Sequence, residues 1–190
     1  MLQRSERATT TIASAGFLWL IPQNAPTLKN ATPNQQGRFN DAYSEFLRRL
    51  SAHGGNNPCA KLFGGLDNAL KTLGKTNFAA RSVSGGVAET KGSTIRIDPT
   101  KAFMDTSGSV SITTGYAYEG GQFTSLTIML GNVEAAAFIL AHEFAHRSNV
   151  KGFDQNDANI TTLGGTQMDF AGARNNEMIR AACFSERTPQ

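Results

Sequence analysis

Ala136–Arg147 reads AAFILAHEFAHR, with two histidines four residues apart and a glutamate between them, in an otherwise apolar run. The chain has only three histidines in 190 residues, and two of them stand here. On a helix, residues four apart lie one turn apart on the same face. His142 and His146 can therefore aim ring nitrogens at one divalent metal ion, while Glu143, one position further round, lies beside that ion instead of on it. The competing reading, two core histidines on a buried helix, desolvates two imidazoles and a carboxylate together, and a buried carboxylate without a partner is costly. A metal ion removes that cost.

The surrounding sequence supports a helix at this position. Asn132 supplies a cap, Val133 to about Asn149 forms the helix, and Gly152 can terminate it. Residues 77–131 are different in character, because short runs rich in Thr, Ser, Val and Ile (Phe78–Val83, Ser93–Ile97, Val110–Tyr118, Phe123–Leu130) alternate with Gly clusters. They predict a small sheet. Upstream, Phe39, Tyr43, Phe46, Leu47 and Leu50 recur at helical spacing with Arg48 and Arg49 on the opposite face, and Leu62, Leu66, Leu70 and Leu73 predict a second helix that Gly64-Gly65 can bend. A last helix is expected from about Arg174 to Phe184. The pattern is α+β.

Composition sets further bounds. With 39% hydrophobic and 17% charged residues the chain is globular in type, and no apolar run reaches the ~18 residues that a membrane-spanning helix needs. The net charge of +3 is scattered, with no basic block to suggest a nucleic-acid partner. Residues 1–37 read as an N-terminal segment. MLQRSER followed by the apolar stretch Ile12–Ile21 fits either a secretory signal or a buried first element, and 22–37, rich in Pro, Asn, Gln and Thr, fits a linker. The domain proper is expected over 38–190. Cys59 and Cys183 lack metal or redox spacing, so they are either buried thiols or, in an exported protein, one disulfide.

His142, Glu143 and His146 together have the H-E-x-x-H spacing that in zinc metallopeptidases supplies two ligands and a general base from one helix. Zn²⁺ held by three protein groups keeps a fourth position for water and can lower the pKa of that water to about 7. Over residues 123–154 the chain resembles the zincin metallopeptidases, in which such a helix lies under an edge strand that binds extended substrate. Two residues depart from the zincin pattern: Arg147 is charged where an uncharged residue is usual, and Ser148 is polar where an apolar one is favoured. The CAKLFGG helix and the closing AACF also resemble carboxy-terminal domains of Rhs-type bacterial surface or secreted proteins.

The resemblance implies a zincin-like α+β fold, a small mixed sheet with an active-site helix and further helices before and after it. It also implies a peptide or protein substrate, with Thr124–Met129 as the strand that would receive it. For the third ligand, the metzincin spacing HExxHxxGxxH places Asn149 at the Gly position and Gly152 at the ligand position, so it fails as written. Asp154 is the preferred oxygen ligand in a variant of that turn. Glu177, by the gluzincin route, and Asp157 are the alternatives. His53, beside two glycines, reads as a surface cation. Tyr116 and Tyr118 read as core or surface residues or, alternatively, as hydrogen-bond donors to an oxyanion. The expected function is zinc-dependent peptide hydrolysis by a secreted or cell-surface protein. The alternative is a catalytically silent zincin-like module of a larger bacterial surface protein, and the sequence leaves the oligomeric state open.

Overall fold

The computed structural model describes residues 25–84, 86–104, 108–157, 160–163 and 166–187. The signal-peptide reading of Ile12–Ile21 falls outside these residues.

The first helix, α1, spans Pro33–Ser51 and begins earlier than its apolar periodicity indicates. Thr32 accepts from the Gln35 amide at 3.3 Å while the Gln35 side chain accepts from the Thr32 amide at 2.9 Å, a reciprocal cap with Pro33 in the first turn. The polar residues that suggested a linker are thus the start signal of a helix. Ahead of them β1 (Leu28–Lys29) pairs in parallel with β2 (Asn77–Ala80), and Leu28 is buried. Residues 25–37 are therefore built into the domain.

Two short helices follow, α2 (Pro58–Leu62) and α3 (Leu66–Leu73). Gly64 and Gly65, both at positive φ, break what the leucine spacing presents as one helix. The main sheet is mixed and ordered β1-β2-β4-β3, with β4 at Thr94–Ile97 parallel to β2 and β3 at Ala88–Lys91 antiparallel to β4. This leaves β3 at the edge. Two hairpins stand apart from the main sheet. One joins β5 (Ser109–Glu119) to β6 (Gln122–Gly131) through Gly120-Gly121, and the other joins β7 (Ile160–Leu163) to β8 (Thr166–Asp169). The single sheet expected over 77–131 is thus divided. Thr124–Met129, expected to receive substrate, lies in the β5–β6 hairpin.

The motif helix, α4 (Asn132–Ser148), is buried along most of its length. Ala135, Ala136, Ala137, Ala141 and Ala145 are closed to solvent, and such small side chains allow α1 and the last helix, α5 (Phe170–Cys183), to approach closely. Phe144 packs with Phe46 and Phe63 at ring-centroid distances of 5.6 and 5.0 Å, and Phe138 meets Phe184 at 5.1 Å. A helix with apolar residues on nearly every side belongs in the interior, so the polar side chains it carries need internal partners.

Two devices fix the carboxy-terminal end. Cys59 on α2 and Cys183 on α5 form a disulfide across 124 residues. Arg49, expected on a solvated face, is buried instead. It pairs with Glu45, Glu134 and Glu186, donates to the Cys183 carbonyl at 2.6 Å and lies over the Phe184 ring. Burial of this guanidinium is sustained by its several anionic partners. Among the described residues, no helix is long and apolar enough to cross a membrane.

Candidate metal centre

His142 and His146 project from one face of α4 and converge. Their Nε2 atoms are 3.2 Å apart, and both face Asp157 Oδ2, at 2.5 Å from His142 and 3.0 Å from His146. Two nitrogens and one oxygen this close form a group that can hold a metal ion. Ligands placed tetrahedrally at about 2.0–2.2 Å from an ion lie about 3.3 Å from one another. The imidazoles, 3.2 Å apart, already have that spacing, and the carboxylate oxygen, at 2.5 and 3.0 Å from them, needs to withdraw by less than about 1 Å.

The third member is Asp157, where the sequence reading preferred Asp154. Asn149 ends α4 in the left-handed conformation (φ 49°), Gly152 turns the chain again at φ 82°, and Phe153 buries its ring against both imidazoles at 5.1 and 4.9 Å. Asp154 then faces away from the histidines. Its carboxylate accepts from the Asn156 amide and pairs with Arg174. Asp157, one turn of loop later, returns to the histidines. Glu177 is engaged with Arg180 on α5 and takes no part.

A second set of contacts aims these ligands, and α5 supplies it. Asn176 Oδ1 lies 2.7 Å from His142 Nδ1 and its amide donates to the Thr113 carbonyl, so the carboxamide oxygen accepts the Nδ1 proton and Nε2 is left to face Asp157 and His146, where a metal ion could be held. Asn175, fully buried, donates to Asp157 Oδ1 at 2.6 Å. Neither asparagine stood out in the sequence, although the adjacent Asn175-Asn176 pair on an otherwise amphipathic helix was the available signal.

Glu143 is buried beside the histidines. Its Oε2 lies 2.8 Å from the Thr90 hydroxyl, which also reaches the Glu143 backbone carbonyl at 2.8 Å, so edge strand β3 is tied to the motif helix at this residue. Burial pushes the Glu143 carboxyl above the usual range, and the nearby imidazoles and Thr90 offset only part of this. For His142, burial opposes the charged form, but the hydrogen bond to Asp157 and the charges of Glu143 and Asp157 prevail and raise its pKa. Asp157 moves the opposite way: burial would raise it, and the hydrogen bonds and charges of both histidines hold it well below an ordinary carboxyl.

The group opens into a cleft of about 1080 Å³. β3 forms one wall through Ala88, Glu89 and Thr90, while Val110, Ile112 and Phe138 give an apolar surface. Asp98 braces the rim, accepting from the Val83 amide at 3.0 Å and from the amide and hydroxyl of Thr100, contacts that hold its pKa down to about 2. Tyr116 lines the cleft and its hydroxyl accepts from the Asp169 amide, whereas Tyr118 is exposed. His53 is exposed in a turn after α1 and does not join the group.

Family models, curated proteins and solved structures give no match to the chain.

Proposed function

We propose that the chain is a zincin-type, zinc-dependent peptidase in which His142, His146 and Asp157 hold the metal and Glu143 is the general base. The observation that carries this reading is the convergence of two Nε2 atoms and one carboxylate oxygen at the wall of an open cleft, with a buried glutamate beside them. Two imidazoles and one carboxylate are a common ligand set for catalytic zinc. When bound, Zn²⁺ supplies a Lewis acid and an acidified water.

The remaining chemistry falls to the chain's own residues. Asn176 fixes the tautomer of His142 and Asn175 orients Asp157, so the ligand atoms are aimed before any ion arrives. Glu143, held by Thr90, takes the proton of the attacking water and returns it to the leaving amine. Burial raises this carboxyl above the usual range, which makes it a stronger proton acceptor than an exposed glutamate. The free edge of β3 runs beside Glu143 and offers backbone groups to an extended peptide, as an edge strand can. The disulfide fits an oxidising compartment, in keeping with a secreted or surface location.

A silent, metal-stabilised module is the weaker reading, because structural zinc sites are closed and usually rich in Cys. Here both cysteines are consumed by the disulfide and the group faces a cleft. The test is hydrolysis of a denatured protein by the zinc-loaded chain. Glu143→Ala is expected to keep its zinc and lose hydrolysis, and near-normal activity in that variant removes Glu143 from the mechanism.

A further inference from the structure

Arg147 directly follows the second histidine of the motif, and it is the only Lys or Arg among the described residues that line the cleft. The nearby carboxylates have partners of their own that do not include Arg147: Glu89 pairs with Arg96, Asp154 with Arg174 and Asp157 with the histidines, while Glu143 and Asp169, which form no ion pair among the described residues, accept from the Thr90 hydroxyl and the Gly172 amide. Arg147 makes no ion pair among the described residues, and its Nε is sealed from solvent with no hydrogen-bond partner. The residue is only half-buried and lines the cleft, so the terminal nitrogens of its guanidinium, which are not sealed, are the donors that a ligand in the cleft can reach. Arg49 on the same fold shows the alternative, since its guanidinium is enclosed by three carboxylates.

Position along α4 sharpens the point. Phe138 and Arg147 both line the cleft with His142 and His146 between them, so an apolar surface lies toward one side of the metal-binding group and a cation toward the other. Helical side chains lean toward the helix N-terminus, so the Arg147 side chain leans back toward the turn that carries Glu143. Its forked donors match a carboxylate in two parallel hydrogen bonds.

We propose that Arg147 is a specificity residue that binds a substrate carboxylate close to the scissile bond, so that the preferred substrates are peptides carrying either a free carboxy terminus or an acidic side chain there. This rests on the peptidase reading above for the word substrate, but the carboxylate site itself can be tested without turnover.

The experiment uses the full chain as its zinc-loaded Glu143→Gln variant, immobilised and exposed to three pools of N-acetylated hexapeptides. One pool has a free carboxy terminus and no Asp or Glu, a second is amidated and contains Asp or Glu, and a third is amidated and acid-free. Retained peptides are quantified by mass spectrometry. At least one carboxylate-bearing pool should be retained about 10- to 100-fold better than the acid-free amides, in line with a charge-assisted pair. Whichever pool is retained identifies the source of the carboxylate. Adding Arg147→Met should erase the preference, and Arg147→Lys should restore part of it. Zinc content and melting temperature equal to the parent show that the site is intact, and Arg147→Gln replaces Arg147→Met if the latter does not fold. Equal retention of all pools, no retention of any, or a preference that survives loss of Arg147 overturns the proposal. An Arg147-dependent preference in a chain whose wild type cleaves nothing leaves this site standing and removes the peptidase reading. Hydrolysis without the preference does the reverse.

Discussion

Asn175 Nδ2 donates to Asp157 Oδ1 at 2.6 Å, and the same side chain grips Asp154 from both sides, accepting from its amide and donating to its carbonyl, each at 2.8 Å. One fully buried carboxamide thereby spends both of its protons and its oxygen on the loop that brings Asp157 to the histidines. Asn175→Ala leaves those partners buried without a match. The expected cost is about 1–3 kcal/mol of stability in the metal-free chain and a loss of about 10–100-fold in metal affinity, the usual size for an outer-sphere contact. Thermal melting and competition against a chelator measure the two. Unchanged metal affinity would mean that the loop holds Asp157 in place without Asn175.

The disulfide should matter to the metal as well as to the fold. Cys183 anchors the far end of the helix that carries Asn175 and Asn176. Closing a loop of this length typically contributes about 2–5 kcal/mol. Reduction, or the Cys59→Ser and Cys183→Ser pair, is expected to lower the melting temperature and weaken metal binding together. If stability falls and metal affinity does not, the register of α5 is set by Arg49 and its carboxylates instead.

The pH dependence of the metal-free chain follows from the three shifted groups. Asp157 is depressed from 3.8, so its contribution is present above that value and lost as pH falls through the folded value. His142 is raised from 6.5, so its contribution is complete below 6.5 and lost as pH rises through the folded value. Glu143, raised from 4.5 by burial, also loses stability as it ionises. In chelator the melting temperature should therefore be highest at about pH 4 to 4.5, where Asp157 is ionised in both states and Glu143 has not begun to ionise in the unfolded chain, and fall above it, with the loss from His142 added beyond about pH 6.5. Zinc must reverse this trend, since its ligands bind deprotonated and its stabilisation grows with pH. A chelated protein that gains stability steadily from acid to alkaline solution contradicts the pairing of His142 with Asp157.

The motif helix was legible because two independent signals coincide there, the apolar run and the four-residue spacing of His142 and His146. The third member of the group was not. Asp154 and Asp157 share one polar loop and the same local chemistry, and the choice between them is made by Asn175, 18 residues beyond Asp157. Edge strand β3 reads AETK, without apolar alternation, because its residues are only half-buried at a sheet edge. It therefore escaped notice, whereas the more strongly patterned Thr124–Met129 was readily read as a strand. Arg49 was misplaced for a related reason. On a helical wheel it sits with polar residues, and only the tertiary arrangement of Glu45, Glu134 and Glu186 makes its burial tolerable.

The most direct measurement is anomalous diffraction at the zinc absorption edge from crystals of the full chain grown with zinc. The expected result is one strong peak bonded to His142 Nε2, His146 Nε2 and an Asp157 carboxylate oxygen, with a further position open to the cleft. A peak bonded to Asp154 or Glu177 in place of Asp157, or no peak between the two imidazoles, would contradict it.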